Sequence, residues 1–548
     1  MQTEYIKPVF EKALESLDIN VEKEIKFEIP NNPDHGDLST NIAMTLTKKL
    51  KKSPRDIAQM IMDKLEYDDQ FIDSISIAGP GFINIKFSNA FYRSKLMEVT
   101  EKRNDYGKGN SGNGKKVNVE YVSVNPTGLL HLGHGRNAAI GDTVANLYEW
   151  QGWDVTREYY FNNAGNQMNK LAGSIYARYC RQLGDEDHPF PEDGYHGEYI
   201  NDIASELIED FGESLKDENP ENLKKIRKFG ENWCFARIKD TLARMNIRQD
   251  VFYNEDSLYD KGKIEEVIDV LTQKGLIYEK DGAKWLALSK MGLEDDRVIV
   301  KSTGEPTYRL PDIAYHREKF LRGYDLIIDV FGSDHIATVP DVLAAVKELG
   351  FDDSIVKVLV HQFVTLTEDG KQVKMSKRSG KVYTLDDLLD EVGEDVVRFF
   401  LIMRSMGTHL EFDLNLAREQ SEKNPVFYLQ YAHARICSVF EKALEREIFY
   451  DEDQYITELN DKSEIDLIKQ ILRFPDVLKN ACERNEPQYL PEYLKELASA
   501  FHVFYHNCRI LGASSEKLEK ERLILAQTVR TIMKNGLTLL GVSAPEKM

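Results

Sequence analysis

One stretch constrains this chain more than any other: a strand that runs into a Pro/Gly turn and then into a long helix. VNVEYVSV (117–124) has the β-branched and aromatic content of a strand. NPTGLLHLGHGRNAAIGD (125–142) breaks it with Pro126 and Gly128, then continues as a helix whose apolar face includes Ile140, Val144 and Leu147. Strand, glycine-containing turn and helix amino terminus together form an anion site, because free backbone N–H groups and the positive end of the helix dipole converge on the turn. Gly133 and Gly135 read as positions where a nucleotide can approach the backbone. His131 and His134 stand at the helix entrance, within reach of a bound phosphate. An HxxH pair also suits a metal site, but the glutamate of HExxH is missing, since position 132 is leucine. On these residues alone, a phosphate role and a structural role for the two histidines both stay open.

From 117 to about 400, strand-like runs alternate with helical ones, the pattern of an α/β layered domain. YDLIIDVFG (324–332) and IVKVLVHQFVTL (355–366) are two further strands. ELIEDFGESLKDENPENLKKIRKFGENW (206–233) reads as an acidic helical insertion with a solvated face and no chemistry. Residues 1–105 mix helices with β-like runs such as SISIAGPGFINIKF (74–87), and KRNDYGKGNSGNGKK (102–116) reads as a linker. Beyond 405 the pattern is all helical: Tyr493, Leu494, Leu497, Phe501 and Phe504 make one apolar stripe of period 3.6. A chain of 548 residues exceeds a single core. The expected fold is multidomain α/β, with an α+β domain over 1–105, a parallel-sheet α/β domain over 106–404 and an all-α helical bundle over 405–548.

Charge narrows the partners. With 71 basic and 92 acidic residues the net charge is −21, so no whole-surface attraction draws in a polyanion. Any polyanion partner must be held by local basic patches, and its binding falls steeply with salt. The five cysteines are scattered without a CxxC pair, which argues against a zinc ribbon or a disulfide framework and suits a reducing compartment. No apolar run approaches the roughly 18–20 residues that span a bilayer. The start, MQTEYIKPVFEKALESL, is amphipathic and lacks the apolar block of a secretion signal, so a cytoplasmic location is expected.

LTEDGKQVKMSKRSGKVYT (366–384) places Lys371, Lys374, Lys377, Arg378 and Lys381 on a Gly/Ser-containing loop after a strand. Alone, such a cluster is a basic surface loop; beside an anion-binding turn, it suits clamping a triphosphate. HLGH followed some 240 residues later by KMSKR resembles the paired HIGH and KMSKS signatures of class I aminoacyl-tRNA synthetases. Nucleotidylyltransferases share the HxGH turn but are shorter and lack the helical domain. The resemblance narrows to arginyl-tRNA synthetases and covers nearly the whole chain. It is carried by NPDHGDLSTNIA (32–43), EYVSVNPTGLLHLGHGR (120–136), FNNAGNQM (161–168), EDGYHGEYI (192–200), GTHLEFDLNLA (407–417), NPVFYLQYAHARI (424–436) and LLGVSAPEKM (539–548).

The resemblance implies a Rossmann-like catalytic sheet and a reaction in which the arginine carboxylate attacks the α-phosphate of ATP. The enzyme then positions reactants and stabilises spreading charge. It implies that His131 and His134 contact the phosphates and that Lys374 and Lys377 clamp the leaving pyrophosphate. Thr127, Gly128, Gly133, Asn137, Met375 and Ser376 complete the ATP contacts. Gly332 and Asp334, in VFGSDH, resemble the family segment near the ribose, while His361 and Val364 lie where an adenine-pocket strand belongs. Glu120, Asn125, Tyr308 and Asp312 match arginine-contact positions. Guanidinium stays charged and fits a carboxylate fork, so acids are the residue type that such a pocket needs. Magnesium is expected with ATP, and no protein-held structural metal. The implied partners are tRNA(Arg), L-arginine and ATP, with residues 1–105 at the outer corner of the tRNA and the bundle at its anticodon. A monomer is expected, and activation is expected to wait for bound tRNA. Two other readings remain: a tRNA-binding paralogue without catalysis, which the intact HLGH and KMSKR oppose, and a glutamyl- or cysteinyl-type ligase. The absence of a cysteine cluster opposes the cysteinyl type, and Glu120 with Asp312 favours a cationic amino acid over an anionic one.

Overall fold

The computed structural model describes residues 1–21, 24–30, 32–163, 166–373, 383–451 and 454–548. Near the amino end, α1 (Gln2–Ser16), α2 (Pro54–Met62) and α3 (Asn89–Lys102) pack on a small antiparallel sheet. Its strands are β1 (Leu38–Thr40), β2 (Ile72–Ala78) and β3 (Phe82–Phe87), in the order β1-β3-β2. SISIAGPGFINIKF is its hairpin, turned at Gly79 (φ +52°) and Gly81 (φ +137°). The buried residues Ile83, Ile85 and Phe87 meet Phe10 and Phe91 in one core. The expected linker is packed rather than free. Tyr106 is buried, its hydroxyl donates to the Ile471 carbonyl at 3.2 Å, and Gly112 lies where any side chain would collide with Trp153.

The alternation from 117 onward builds β4 (Lys116–Glu120), α4 (Leu132–Trp150), β5 (Asp154–Phe161), α5 (Asn166–Gln182), α6 (Tyr199–Phe211), α7 (Pro220–Arg244) and β6 (Val251–Asn254). A three-stranded antiparallel unit follows, β7 (Ile277–Lys280), β8 (Ala283–Leu286) and β9 (Arg297–Val300). Next come α8 (Arg309–Leu321), β10 (Leu326–Gly332) and β11 (Val356–His361). The central sheet has the order β11-β10-β4-β5-β6, and every pair in it is parallel. The first strand of this sheet along the chain, β4, lies mid-sheet, and the winding direction reverses between β4 and β10. That switch point leaves a crevice outside the carboxyl ends of the strands, where doubly wound sheets bind ligands.

Three expectations change. The 206–233 stretch belongs to a packed subdomain: α5, α6 and α7 bury Leu171, Ile175, Ile203, Leu207, Ile226 and Cys234 in a core of their own. The 355–366 run is two strands in different sheets, because the chain turns at Gln362 and Phe363. β12 (Val364–Glu368) pairs antiparallel with β13 (Lys371–Gln372) and parallel with β14 (Leu410–Asp413). β14 in turn interrupts the expected all-helical region beyond 405. Arg136 holds this break. Fully buried, it donates to the carbonyls of Gln362 (2.7 Å), Ser405 (3.0 Å) and Thr408 (3.0 Å).

After α9 (Leu385–Val392) and α10 (Glu394–Ile402), the bundle consists of α11 (Pro425–Glu445), α12 (Lys462–Leu472), α13 (Phe474–Arg484), α14 (Tyr489–Asn507) and α15 (Glu516–Leu539). The stripe Tyr493, Leu494, Leu497, Phe501, Phe504 is entirely buried. Tyr431 lies instead under the Arg435 guanidinium, which also covers Tyr505. Among the described residues no helix is long and apolar enough to cross a membrane.

Arg398, 1% exposed, ties the bundle to the sheet. It donates to the Leu540 carbonyl, to the Met245 carbonyl at 2.6 Å and to the Asp142 carboxylate on α4. Replacing Arg398 by Met leaves Asp142 buried without its close cation and is expected to lower stability by about 3–5 kcal/mol. The check is the midpoint of chemical denaturation, which an energetically idle junction would leave unchanged.

Candidate active site

β4 ends on Glu120, and the chain then turns sharply. Val122 (φ +70°) and Ser123 (φ +45°) are both left-handed, a conformation that costs a β-branched residue about 1–3 kcal/mol. The turn is held from three sides. The Val122 N–H donates to Asn137 Oδ1 at 2.6 Å, the Ser123 hydroxyl donates to Glu120 Oε1 at 2.8 Å, and the Tyr160 N–H donates to the Ser123 hydroxyl at 3.2 Å. Asn137 also donates to the Val330 carbonyl (2.8 Å) and to His361 Nε2 (3.3 Å). Its amide therefore binds β4, β10 and β11 together across the switch point.

His131 is the N-cap of α4. Its Nδ1 accepts from the backbone N–H groups of Gly133 (3.1 Å) and His134 (3.4 Å), while the His131 N–H donates to His134 Nδ1 at 3.3 Å. The two rings stack with centroids 3.4 Å apart. Accepting at Nδ1 requires that nitrogen to be unprotonated, so each neutral ring carries its proton at Nε2. Burial, with His131 and His361 beside it, pushes the His134 pKa down to about 3. Burial also lowers His131, against the opposing charge of Asp334. The pair consists of neutral N–H donors, not cations. Gly133 leaves room for the His131 ring to lie against the first turn, 3.1 Å from where a Cβ would stand. Gly135 serves a different purpose from the one expected: it is buried against Leu385 of α9, not open to a ligand.

The second turn of the crevice follows β10. Gly332 pairs with His361 in the parallel register, and Asp334 lies in the short helix Ser333–His335, where its charge acts on both His131 and His361. Val364 stands apart, on β12 of the other sheet. On the opposite side, Asn125 donates to Gln167 Oε1 at 2.8 Å, and the Tyr199 hydroxyl reaches the Thr127 carbonyl at 2.7 Å beside Gly128. The α5–α6 subdomain thus props the turn. Lys374, Met375, Ser376 and Lys377 lie outside the described residues.

The acidic side is built on α8. Tyr308, 66% exposed, occupies its N-cap, and the Asp312 N–H donates to the Tyr308 carbonyl at 3.2 Å, so the two residues are one turn apart. Along the same helix, His316, Lys319 and Arg322 meet a row of acids that the sequence reading missed. Glu120 is in register with Asp329 on β10 and with Glu158 on β5, and all three are buried. Lys319, fully buried, binds Glu120 Oε2 and, at 2.5 Å, Asp329 Oδ1. His316 donates to the Asp312 carbonyl (2.8 Å) and bonds Asp329 Oδ2 (3.0 Å). Burial disfavours its charge, but Asp329 outweighs burial and raises its pKa. Arg322 grips Glu158 with two bonds of 2.6 and 2.8 Å, and the Tyr315 hydroxyl adds a third at 2.7 Å. Glu120 is therefore already neutralised by a resident cation. The signal was present in TYRLPDIAYHREKFLRGYD, where residues 312, 316, 319 and 322 recur at helical spacing.

Because His134 is held neutral, its imidazole is expected to titrate near pH 3 rather than 6.5. Nitrogen NMR of labelled histidine checks this, and a midpoint at the ordinary value would show that the cap does not exclude the charged form.

Comparison with known proteins matches three family descriptions along the chain. These are the arginyl tRNA synthetase N terminal domain over residues 4–87, the catalytic domain of class I (R) tRNA synthetases over 95–403, and the DALR anticodon binding domain over 429–548. The arginine–tRNA ligase of Salinibacter ruber is 47% identical over 563 residues, spanning 100% of both chains. That of Bacillus licheniformis is 44% identical, over 96% of this chain and 94% of its own. The crystal structure of Thermus thermophilus arginyl-tRNA synthetase superposes with a TM-score of 0.75 at 22% identity, covering 100% of both chains, and so shares the fold.

Proposed function

The chain belongs to the arginyl-tRNA synthetase family and uses ATP to join arginine to tRNA(Arg) through an arginyl-adenylate, and on that premise we propose which residues do so. The observation that carries the assignment is the neutral His131/His134 cap, standing at the switch-point crevice with the acid-bearing helix α8 on the other side of β4. ATP lies along the turn 125–137. The turn at Thr127 and Gly128 and the α4 cap at Gly133 lie beside its phosphates, Gly332 and Asp334 beside its ribose, and His361 beside its adenine, with Val364 beyond. Asn137 acts by holding the turn rather than by spending its amide on the nucleotide.

Activation needs no enzyme nucleophile. The arginine carboxylate attacks the α-phosphate, and pyrophosphate leaves in line. The Nε2–H groups of His131 and His134 donate to oxygens whose charge grows in the transition state, a role open to neutral imidazoles at any assay pH. Lys374 and Lys377, with Met375 and Ser376 between them, clamp the departing pyrophosphate. Asp312 holds the guanidinium end, Tyr308 closes over it, and Asn125 and Glu120, the latter already paired with Lys319, contact the rest of the amino acid. In the second step the terminal ribose hydroxyl of the tRNA attacks the activated carbonyl and AMP leaves.

Magnesium enters as part of the ATP substrate. Among the described residues no group of three or more His, Cys, Asp or Glu side chains converges on an ion position. Residues 1–105, 106–404 and 405–548 serve the outer corner of the tRNA, the chemistry and the anticodon respectively, in a cytoplasmic monomer.

Asp312→Ala should raise the arginine KM on the order of 10²-fold, the scale of losing a buried charge-assisted pair. The KM for ATP should stay within about threefold, since the phosphates are held elsewhere. Steady-state aminoacylation with each substrate varied checks this, and equal charging of lysine by the unaltered enzyme would overturn the arginine pocket. His131→Ala should instead lower kcat on the order of 10²-fold with little change in either KM. Near-normal turnover would return His131 to a capping role only.

A further inference from the structure

Outside the crevice, α3 of the amino-terminal unit meets α15 of the bundle around a cavity of about 200 Å³. The turn at residues 103–106 closes one end. Val99, Tyr106, Ile524 and Ile532 give it apolar walls, and none of the four is more than 2% exposed. Hydrogen bonds across the junction fix these walls. The Tyr106 hydroxyl donates to the Ile471 carbonyl at 3.2 Å, and Asn535 Nδ2 donates to the Asn104 carbonyl at 2.9 Å. The fold therefore holds the space open. Thr100 and Thr528 also line it, but their hydroxyls donate to their own helices, at the carbonyls of Met97 (2.8 Å) and Ile524 (2.9 Å). Gln527 is different. Its Oε1 is buried, and no described residue donates to it.

Size decides what such a space suits. A buried water occupies about 30 Å³ and needs two to four polar partners, so roughly six waters would fill the cavity while one acceptor anchors few of them. An apolar cavity of about 150 Å³ is large enough for benzene. A single aromatic ring with one small substituent therefore fits here. Charge is constrained as well. Among the described residues that line the cavity, Arg103 is the one charged side chain, and it is exposed. An ion seated between the apolar walls would lose its hydration without gaining a partner. An O–H or N–H on the ring, by contrast, gives Gln527 the donor that it lacks.

We propose that this cavity is a binding site for an uncharged single-ring aromatic molecule that donates a hydrogen bond to Gln527. The ring touches α3 and α15 together, so an occupied site fastens the amino-terminal unit to the bundle. The site is separate from the arginine and ATP positions, since none of its walls comes from the central sheet, α4 or α8.

The test is titration of the full chain with phenol and with toluene, which match in size and differ in the donor, followed by ligand-observed NMR and by the thermal unfolding midpoint. Phenol should bind with a dissociation constant of roughly 1 mM or below, and its shift of the midpoint should grow with the logarithm of concentration. Q527L removes the acceptor at nearly constant shape, so the ratio of phenol affinity to toluene affinity should fall about fivefold or more. T531F fills the cavity from the α15 wall and V99F from the α3 wall, and either should abolish the binding of both molecules. Having two such variants keeps the test available if one folds poorly. Aminoacylation by Q527L should stay within about twofold of the unaltered enzyme, because the substitution lies away from the chemistry. Absence of phenol binding, a phenol-to-toluene ratio unchanged in Q527L, or binding that survives in a folded T531F or V99F variant would each overturn the proposal.

Discussion

Three carboxylates side by side on adjacent strands are the constraint on which the rest of this site depends. Glu158, Glu120 and Asp329 share one row of the parallel sheet, and inter-strand spacing of about 5 Å leaves them no way to separate. In a buried row they would repel or protonate. Arg322, the carboxyl-terminal cap of α8, meets Glu158, Lys319 bridges Glu120 and Asp329, His316 meets Asp329, and Tyr315 and Asn118 add hydrogen bonds to Glu158. Desolvating so many charges gains little net stability, and apolar residues of the same size could hold the helix as well. What the ionic row supplies is registry. α8 has one seat on the sheet, and Asp312 and Tyr308 at its amino end inherit that position.

The same logic governs α4, which is fastened at several points along its length. His131 and His134 cap it, Asn137 links it to three strands, Arg136 takes the carbonyls of the β11–β12 break, and Asp142 meets Arg398 at the edge of the bundle. The Arg398 contact to the Leu540 carbonyl gives the bundle a direct mechanical connection to the helix whose amino end carries HLGH.

The charges of the site are divided between its two sides. The α4 turn carries neutral histidines, while the α8 side carries buried acids met by resident cations at Glu120, Asp329 and Glu158. A neutral donor set does not bind ATP so tightly that stabilisation is lost in the ground state; its contribution grows as charge develops.

Much of this was legible in the sequence because it is local. The strand–turn–helix at 117–142, the hairpin at 74–87 and the apolar stripe at 493–504 are set by period and turn chemistry, which need only neighbours along the chain. Likewise the neutralising cations of α8 were visible as a helical stripe, although their partners were not. What only the tertiary structure decided is whatever depends on pairing between distant segments. The row Glu158–Glu120–Asp329 exists because three strands far apart in sequence align in register. The 355–366 run breaks into two sheets because Arg136 captures its carbonyls. Gly135 faces Leu385 rather than a nucleotide because α9 returns there, and Asn137 is consumed by a strained turn that no periodicity announces. Local periodicity depends on side-chain spacing within one element, whereas a buried polar atom finds its partner wherever the fold brings a complementary group, and that choice is made in three dimensions.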